Sequence, residues 1–168
     1  MVEVRAATPG DLDAIRRIHL AAFPTAVEAD LVEKLVHQGD AVVSLVASDR
    51  GKLVGHILFS RMQAQCDGRA IDALGLAPVA VLPDRQREGI GSALIQAGLS
   101  EARVVGAEIV FVLGEPVFYG RFGFDAAMAA PFASAYAGPY LQVKALSPEF
   151  IPPSDGSADY AAAFGAFS

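Results

Sequence analysis

Residues 74–92, LGLAPVAVLPDRQREGIGS, constrain the fold of this chain more than any other stretch. An apolar run ends at Pro83, a short charged turn follows, and Gly89 and Gly91 lead into an apolar-periodic segment. That order is strand, loop and helix N-terminus. The first turn of a helix carries backbone N–H groups without partners and the positive end of the macrodipole. Glycine at 89 and 91 removes the side chains that would hold a ligand away from those groups, so the junction suits a phosphate or pyrophosphate. It is the natural place for a phosphate-bearing cofactor.

Composition narrows the setting. A chain of 168 residues, 53% of them hydrophobic, is most simply one folded domain over 1–168, with 147–168 packed on it as a tail. A net charge of −6 with no run of Lys or Arg argues against a nucleic-acid partner. The single cysteine, Cys66, excludes an internal disulfide framework and any Cys-based zinc site, and no metal is expected. The first residues lack a signal-peptide layout, and no apolar run reaches the roughly 18 to 20 residues of a membrane span. The expectation is a cytoplasmic protein with no membrane partner.

Taken in order, 2–6 alternates as a first strand, and Thr8-Pro9-Gly10-Asp11 opens a helix that Pro24 stops. Thr25 to Glu28 has the form of a capping box for a second helix reaching about Gln38, with Gly39 as its C-cap. Glu28 nevertheless falls on that helix's apolar face. Segments 40–48, 53–65 and 69–82 read as an antiparallel meander, turning at Asp49 to Lys52 and at Asp67-Gly68. Within its third strand, Gly75 and Pro78 point to a bulge or a lapse in pairing. A broadly apolar helix over 89–106 and a buried-type strand over 108–113 then make a crossover unit with parallel pairing. A short helix at 117–121, extended structure at 122–124, a final strand over 139–146 and a short extended piece around Tyr160 complete the chain. The fold class is α+β, with a mixed, mostly antiparallel sheet.

Two familiar phosphate loops fail on the residues. The dinucleotide pattern needs a third glycine where Leu94 stands, and a P-loop needs a lysine that Gly91-Ser92-Ala93 lacks. By contrast, Gln86-Arg87-Glu88-Gly89-Ile90-Gly91 matches Gln/Arg-x-x-Gly-x-Gly/Ala, the acyl-CoA signature of the GNAT (Gcn5-related) N-acetyltransferase family. VAVLPDRQREGIGSALI resembles that family's strand–loop–helix core, and residues 117–124, VFYGRFGF, resemble its Tyr-x-x-x-Gly-Phe segment. The likeness covers about 2–146, and LGEPVFYGRFGF with GHILFS upstream most resembles the YhbS-like subgroup.

The resemblance implies the GNAT fold, helices on both faces of the sheet, and a fourth strand splaying from the fifth so that pantetheine lies in the gap. It implies acetyl-CoA as co-substrate, with contacts from Val79, Ala80, Val81, Gln86, Arg87, Glu88, Gly89, Ile90, Gly91 and Ser92. Arg85 stands beside them. Because Asp84 and Glu88 offset the arginines, backbone amides rather than side chains would carry the pyrophosphate.

Acetyl transfer to an amine needs a neutral amine, a polarised carbonyl and a proton for the departing thiolate. Alkyl amines ionise near pKa 10 and thiols near about 8.5, so the first and last tasks call for a general base and a general acid. By resemblance Tyr119 is the acid, and a backbone N–H near Val79 or Val81 holds the carbonyl. Three residues compete as the base: Glu28, which a capping box would also explain; His56, placed by alternation on one face with Val54 and Leu58; and Asp72, with a chain of waters as the alternative to all three. Cys66 lacks the cues of an activated thiol. The expected activity is N-acetylation of a primary amine on a small molecule or peptide by direct attack in a ternary complex. The alternative is a non-catalytic acyl-CoA-binding sensor or scaffold. A homodimer is left open.

Overall fold

The computed structural model of the chain describes residues 1–167. Thr8 and Asp11 close a capping box, with Thr8 N–H donating to Asp11 Oδ2 at 2.8 Å, and Arg5 pairs with the same carboxylate. The 3-10 turn they stabilise leads into α1 (Leu12–Ala22), and the chain is already extended at Phe23, ahead of Pro24. The second helix, α2 (Val27–His37), starts without the expected capping box. Its N-cap is Ala26, and Thr25 Oγ1 only accepts a long 3.4 Å hydrogen bond from Val27 N–H.

Six strands form the main sheet in the order β1-β2-β3-β6-β7-β9: β1 (Val2–Ala6), β2 (Ala41–Asp49), β3 (Lys52–Arg61), β6 (Ala73–Val81), β7 (Ile109–Leu113) and β9 (Leu141–Ala145). The β2–β3 turn has positive φ at both Arg50 and Gly51, the geometry that matches the twist of a two-residue hairpin. Every pairing in the sheet is antiparallel except β6 with β7, which α3 (Ile90–Val104) connects as a crossover.

The meander is not three unbroken strands. The segments expected at 53–65 and 69–82 each divide, at Met62 and at Asp72, giving the additional strands β4 (Gln63–Cys66) and β5 (Arg69–Ile71). The carbonyl of Asp72 accepts from Glu108 N–H at 2.7 Å, and Asp72 N–H donates to Glu108 Oε2 at 3.0 Å. Those bonds tie the backbone to the start of β7, and the ribbon beyond folds into a second sheet, β5-β4-β10-β8, with β8 (Phe132–Ala133) and β10 (Gly156–Asp159). The strand over 139–146 is therefore not the last, and 122–124 forms a turn with Gly123 at φ +93° rather than extended chain.

Three apolar clusters show how the layers stack. Helix α3 covers one face of the main sheet through Leu94, Ile95 and Leu99 over Ile57, Phe59, Val110 and Val112. On the opposite face, α1 and α2 cover the β2–β3 half through Ile15, Leu31 and Leu35, packed on Val46 and Leu58. The small sheet covers the β7–β9 half through Ala64, Phe132 and Ala158, packed on Ile109, Phe111 and Val143. Between those two coverings the sheet is left open. The opening lies above β6, where pairing with β7 stops.

Candidate functional site

Strand β6 pairs with β3 as far as Val81 but with β7 only from Ala73 to Leu76. From Ala77 onward, where a cis peptide joins Ala77 to Pro78, the edge of β6 that faces β7 has no ladder partner. This is the splay that the interrupted strand implies. Pro78 sits in the lapse, where its missing N–H costs no ladder bond. Gly75 needs another account. It is paired on both sides, with Ser60 and Phe111, and a Cβ there would stand 2.5 Å from Cε1 of Tyr160. The glycine makes room for a ring arriving from the tail.

Two cavities meet at the splay, and Val79 lines both. The first, of about 560 Å³, runs along Val79 to Val81, over Gln86 to Ser92, and against Phe118 and Arg121. Gly89 is the N-cap of α3 at φ +84°, and Arg87 also has a left-handed φ, of +67°. A Cβ on Gly91 would meet nothing nearer than Val81 Cγ2 at 3.9 Å, so the start of α3 is open to a ligand. Arg85 is held by Asp49 at 2.9 Å and Glu88 at 3.2 Å, and Gln86 Nε2 donates to Val81 O at 3.1 Å. With those two side chains engaged in shaping the loop, it presents main chain to the cavity beside Arg87 and Ser92. Every cofactor residue picked out in the sequence lines this cavity except Glu88, whose carboxylate instead holds Arg85. Arg121 was not anticipated. Its guanidinium lies 5.4 Å over Phe118, a cation facing the loop from the other wall.

The second cavity, of about 300 Å³, is bounded by α2, β6, Tyr119 and the C-terminal segment. Tyr119 lies on α4 (Pro116–Gly120), with its ring edge-on to Phe118 and Phe124. A Cβ on Gly114 would come within 2.5 Å of that ring, so glycine there is what lets the ring lie flat across the end of β7. Burial pushes the Tyr119 phenol above its ordinary value, so it holds its proton at neutral pH. Glu28 also lines this cavity, and its Oε1 is buried without a hydrogen-bond partner. With the capping box absent, local helix chemistry does not explain that carboxylate.

The other candidate bases lie elsewhere. His56 is fully buried: Nδ1 is 2.8 Å from His19 Nε2 on α1, and Nε2 is 2.9 Å from Ser44 Oγ. It shares its sheet face with Leu58 but not with Val54, because the register shifts between Ala47 and Ser48 and turns Val54 toward α3. Burial pulls both imidazoles down, His19 to about 4, with the neighbouring ring adding to the effect on His56. Asp72 lies at the β5–β6 bend and lines neither cavity. Cys66 is buried, and desolvation raises its thiol. Phe23, Tyr136, Tyr160 and Phe164 complete the second cavity and were not singled out by sequence pattern. An isolated glycine in an apolar strand, Gly75, was the one local sign that something large packs there.

The profile of the acetyltransferase (GNAT) domain matches residues 3–127. The chain belongs to the GNAT acetyltransferase family. It is 40% identical over 119 residues to the uncharacterized N-acetyltransferase YjhQ of Escherichia coli, across 68% of this chain and 65% of YjhQ, just under two thirds of that protein's length. It is 35% identical over 127 residues to the uncharacterized N-acetyltransferase YhbS of the same organism, across 75% of this chain and 72% of YhbS. Two solved GNAT structures superpose over nearly the whole chain. One is a family acetyltransferase from Brucella melitensis in complex with acetyl-CoA, with 34% identity, a TM-score of 0.80 and 98% of each chain covered. The other is E. coli YhbS in complex with CoA, with 28% identity, a TM-score of 0.90, and 99% of this chain and 93% of that one covered.

Proposed function

We propose that this GNAT chain transfers an acetyl group from acetyl-CoA to a primary amine of a small molecule or peptide, by direct attack in a ternary complex. The observation that carries the proposal is the junction at Val79, where a cavity over a helix N-terminus meets one lined by Tyr119 and by Glu28, whose Oε1 is buried without a partner among the described residues. The acetyl-CoA and CoA held by the two solved relatives support the same donor.

In this scheme the amides of residues 87–92 take the pyrophosphate, with Arg121 facing it, and pantetheine follows the free edge of β6. A backbone N–H on that edge, between Ala77 and Val81, polarises the thioester carbonyl. Glu28 takes the proton that frees the amine's lone pair. The nitrogen bonds to the carbonyl carbon, the carbon–sulfur bond breaks, and Tyr119 gives its proton to the sulfur. The ammonium loses two protons overall: one leaves through Glu28, and the other replaces the proton Tyr119 supplied.

Free CoA released during incubation with acetyl-CoA and a panel of amines tests the scheme. Tyr119→Phe should lower kcat by about 10² or more, the low end for losing a general acid, while calorimetry finds acetyl-CoA affinity unchanged. Binding of acetyl-CoA with no release on any amine would refute transfer and favour a binding module.

A further inference from the structure

We infer that the acceptor is a compact primary amine on an apolar, ring-bearing body with no anionic group, and that the C-terminal segment selects it. This inference rests on the acetyltransferase reading for the fate of the amine, but not for its recognition.

Among the described residues the second cavity has one carboxylate in its wall, and Glu28 Oε1 has no partner. A buried carboxylate oxygen left unpaired is costly unless a ligand donates to it, and an ammonium supplies both the charge and the hydrogen bond. Among the described residues lining the cavity there is no Lys, Arg or His. An α-carboxylate or phosphate held inside the cavity would meet no counter-charge there, which disfavours free amino acids and phosphorylated amines.

The remaining wall is aromatic and aliphatic. Phe23 closes one side, while Tyr136, Tyr160 and Phe164 form the other. The Tyr136 and Tyr160 rings meet edge-on at 5.4 Å, and the Tyr160 and Phe164 rings lie 4.9 Å apart, making a continuous aromatic surface. Flat apolar bodies pack well on such a surface, and an ammonium nearby gains from the ring faces. The Tyr160 hydroxyl is the second buried polar atom without a partner at this cavity. It can bond one neutral polar substituent on the acceptor. A volume of about 300 Å³, at the small end for ligand sites, admits a ring with a short amine arm but not a folded peptide chain.

Tyr136, Tyr160 and Phe164 all lie beyond residue 127, where the family profile stops. The donor side is therefore built from residues within the family match, and three of the five aromatic residues of the acceptor wall come from outside it.

The test measures binding to the CoA-loaded protein by calorimetry, using 2-phenylethylamine, 2-phenylethanol and phenylalanine. The amine should bind at least about tenfold more tightly than either of the others, the scale set by one charge-assisted hydrogen bond in a buried site. Glu28→Gln should remove most of the amine's advantage while leaving the alcohol within about twofold, a difference that loss of folding would not produce. Phe164→Ala should weaken amine and alcohol together, with CoA affinity unchanged. Phenylalanine binding as well as the amine, or Glu28→Gln affecting amine and alcohol equally, would overturn the inference. Selective amine binding without any acetyl transfer would support it and sink the transferase reading instead.

Discussion

His56 shows how a residue type that suggests catalysis can be used for structure. Its two ring nitrogens are both engaged, by His19 and Ser44, inside the layer between α1 and the sheet. If His19 Nε2 donates to His56 Nδ1, then His56 donates to Ser44, and the one unpartnered atom, His19 Nδ1, is an acceptor rather than an orphaned donor. Both rings are then neutral. Burial holds His19 at about 4, below its usual 6.5, and lowers His56 as well. Unfolded chain thus binds protons that folded chain refuses. The resulting stability is complete above about pH 6.5 and is lost as pH falls toward 4, a loss on the order of 3 kcal/mol for His19 alone. Thermal unfolding should therefore show a flat Tm from pH 8 to 7 and a steep fall between pH 6 and 4. The double variant His19→Phe with His56→Leu should flatten that fall, and an unchanged slope would assign it to other groups.

At the scale of elements, α3 and β6 act as a pair. The helix presents its N-terminus at Gly89, while its buried side fixes its height above the sheet. Gly98 sits on that side, and a Cβ there would run into the Phe59 ring of β3. Alanine ordinarily improves a helix over glycine by about 1 kcal/mol. Here Gly98→Ala should instead destabilise by about 1–3 kcal/mol, because Phe59 is fully buried and has nowhere to go. Chemical denaturation reads the sign directly. A net gain in stability would mean that the helix can lift without loss.

For the whole molecule, the tail is the part that adds walls to the second cavity beside the first. β10 adds to β4 and β8 in the second sheet, and Tyr160 drops from its end onto Gly75 of the main sheet. Gly75→Ala should expel that ring. The expected outcome is a loss of roughly 2–4 kcal/mol in stability, as for other large buried clashes, and loss of amine binding with acetyl-CoA affinity retained. Parallel calorimetry with the two ligands would show it, and equal loss of both would place Tyr160 outside the acceptor wall.

Much of this was legible in the sequence. The strand–loop–helix at 74–92, the order of the main helices and strands and the interruption at Pro78 follow from local rules: periodicity, caps, and the φ and N–H requirements of glycine and proline, whereas Tyr119 is placed by the family resemblance. Other features could be decided only by tertiary structure, because they depend on contacts between residues far apart in the chain. Glu28 reads as a cap until the helix is seen to start without it and its oxygen to face a cavity unpartnered. His56 stays among the candidate bases until His19, 37 residues away, is found against it. Gly75 reads as a bulge until Tyr160 is found over it. The half of the site proposed to take phosphate is made of backbone, whose demands are local and leave a motif. The half proposed for the acceptor is made of side chains brought together by packing, and packing leaves no more than an isolated glycine, Gly75, in the order of residues.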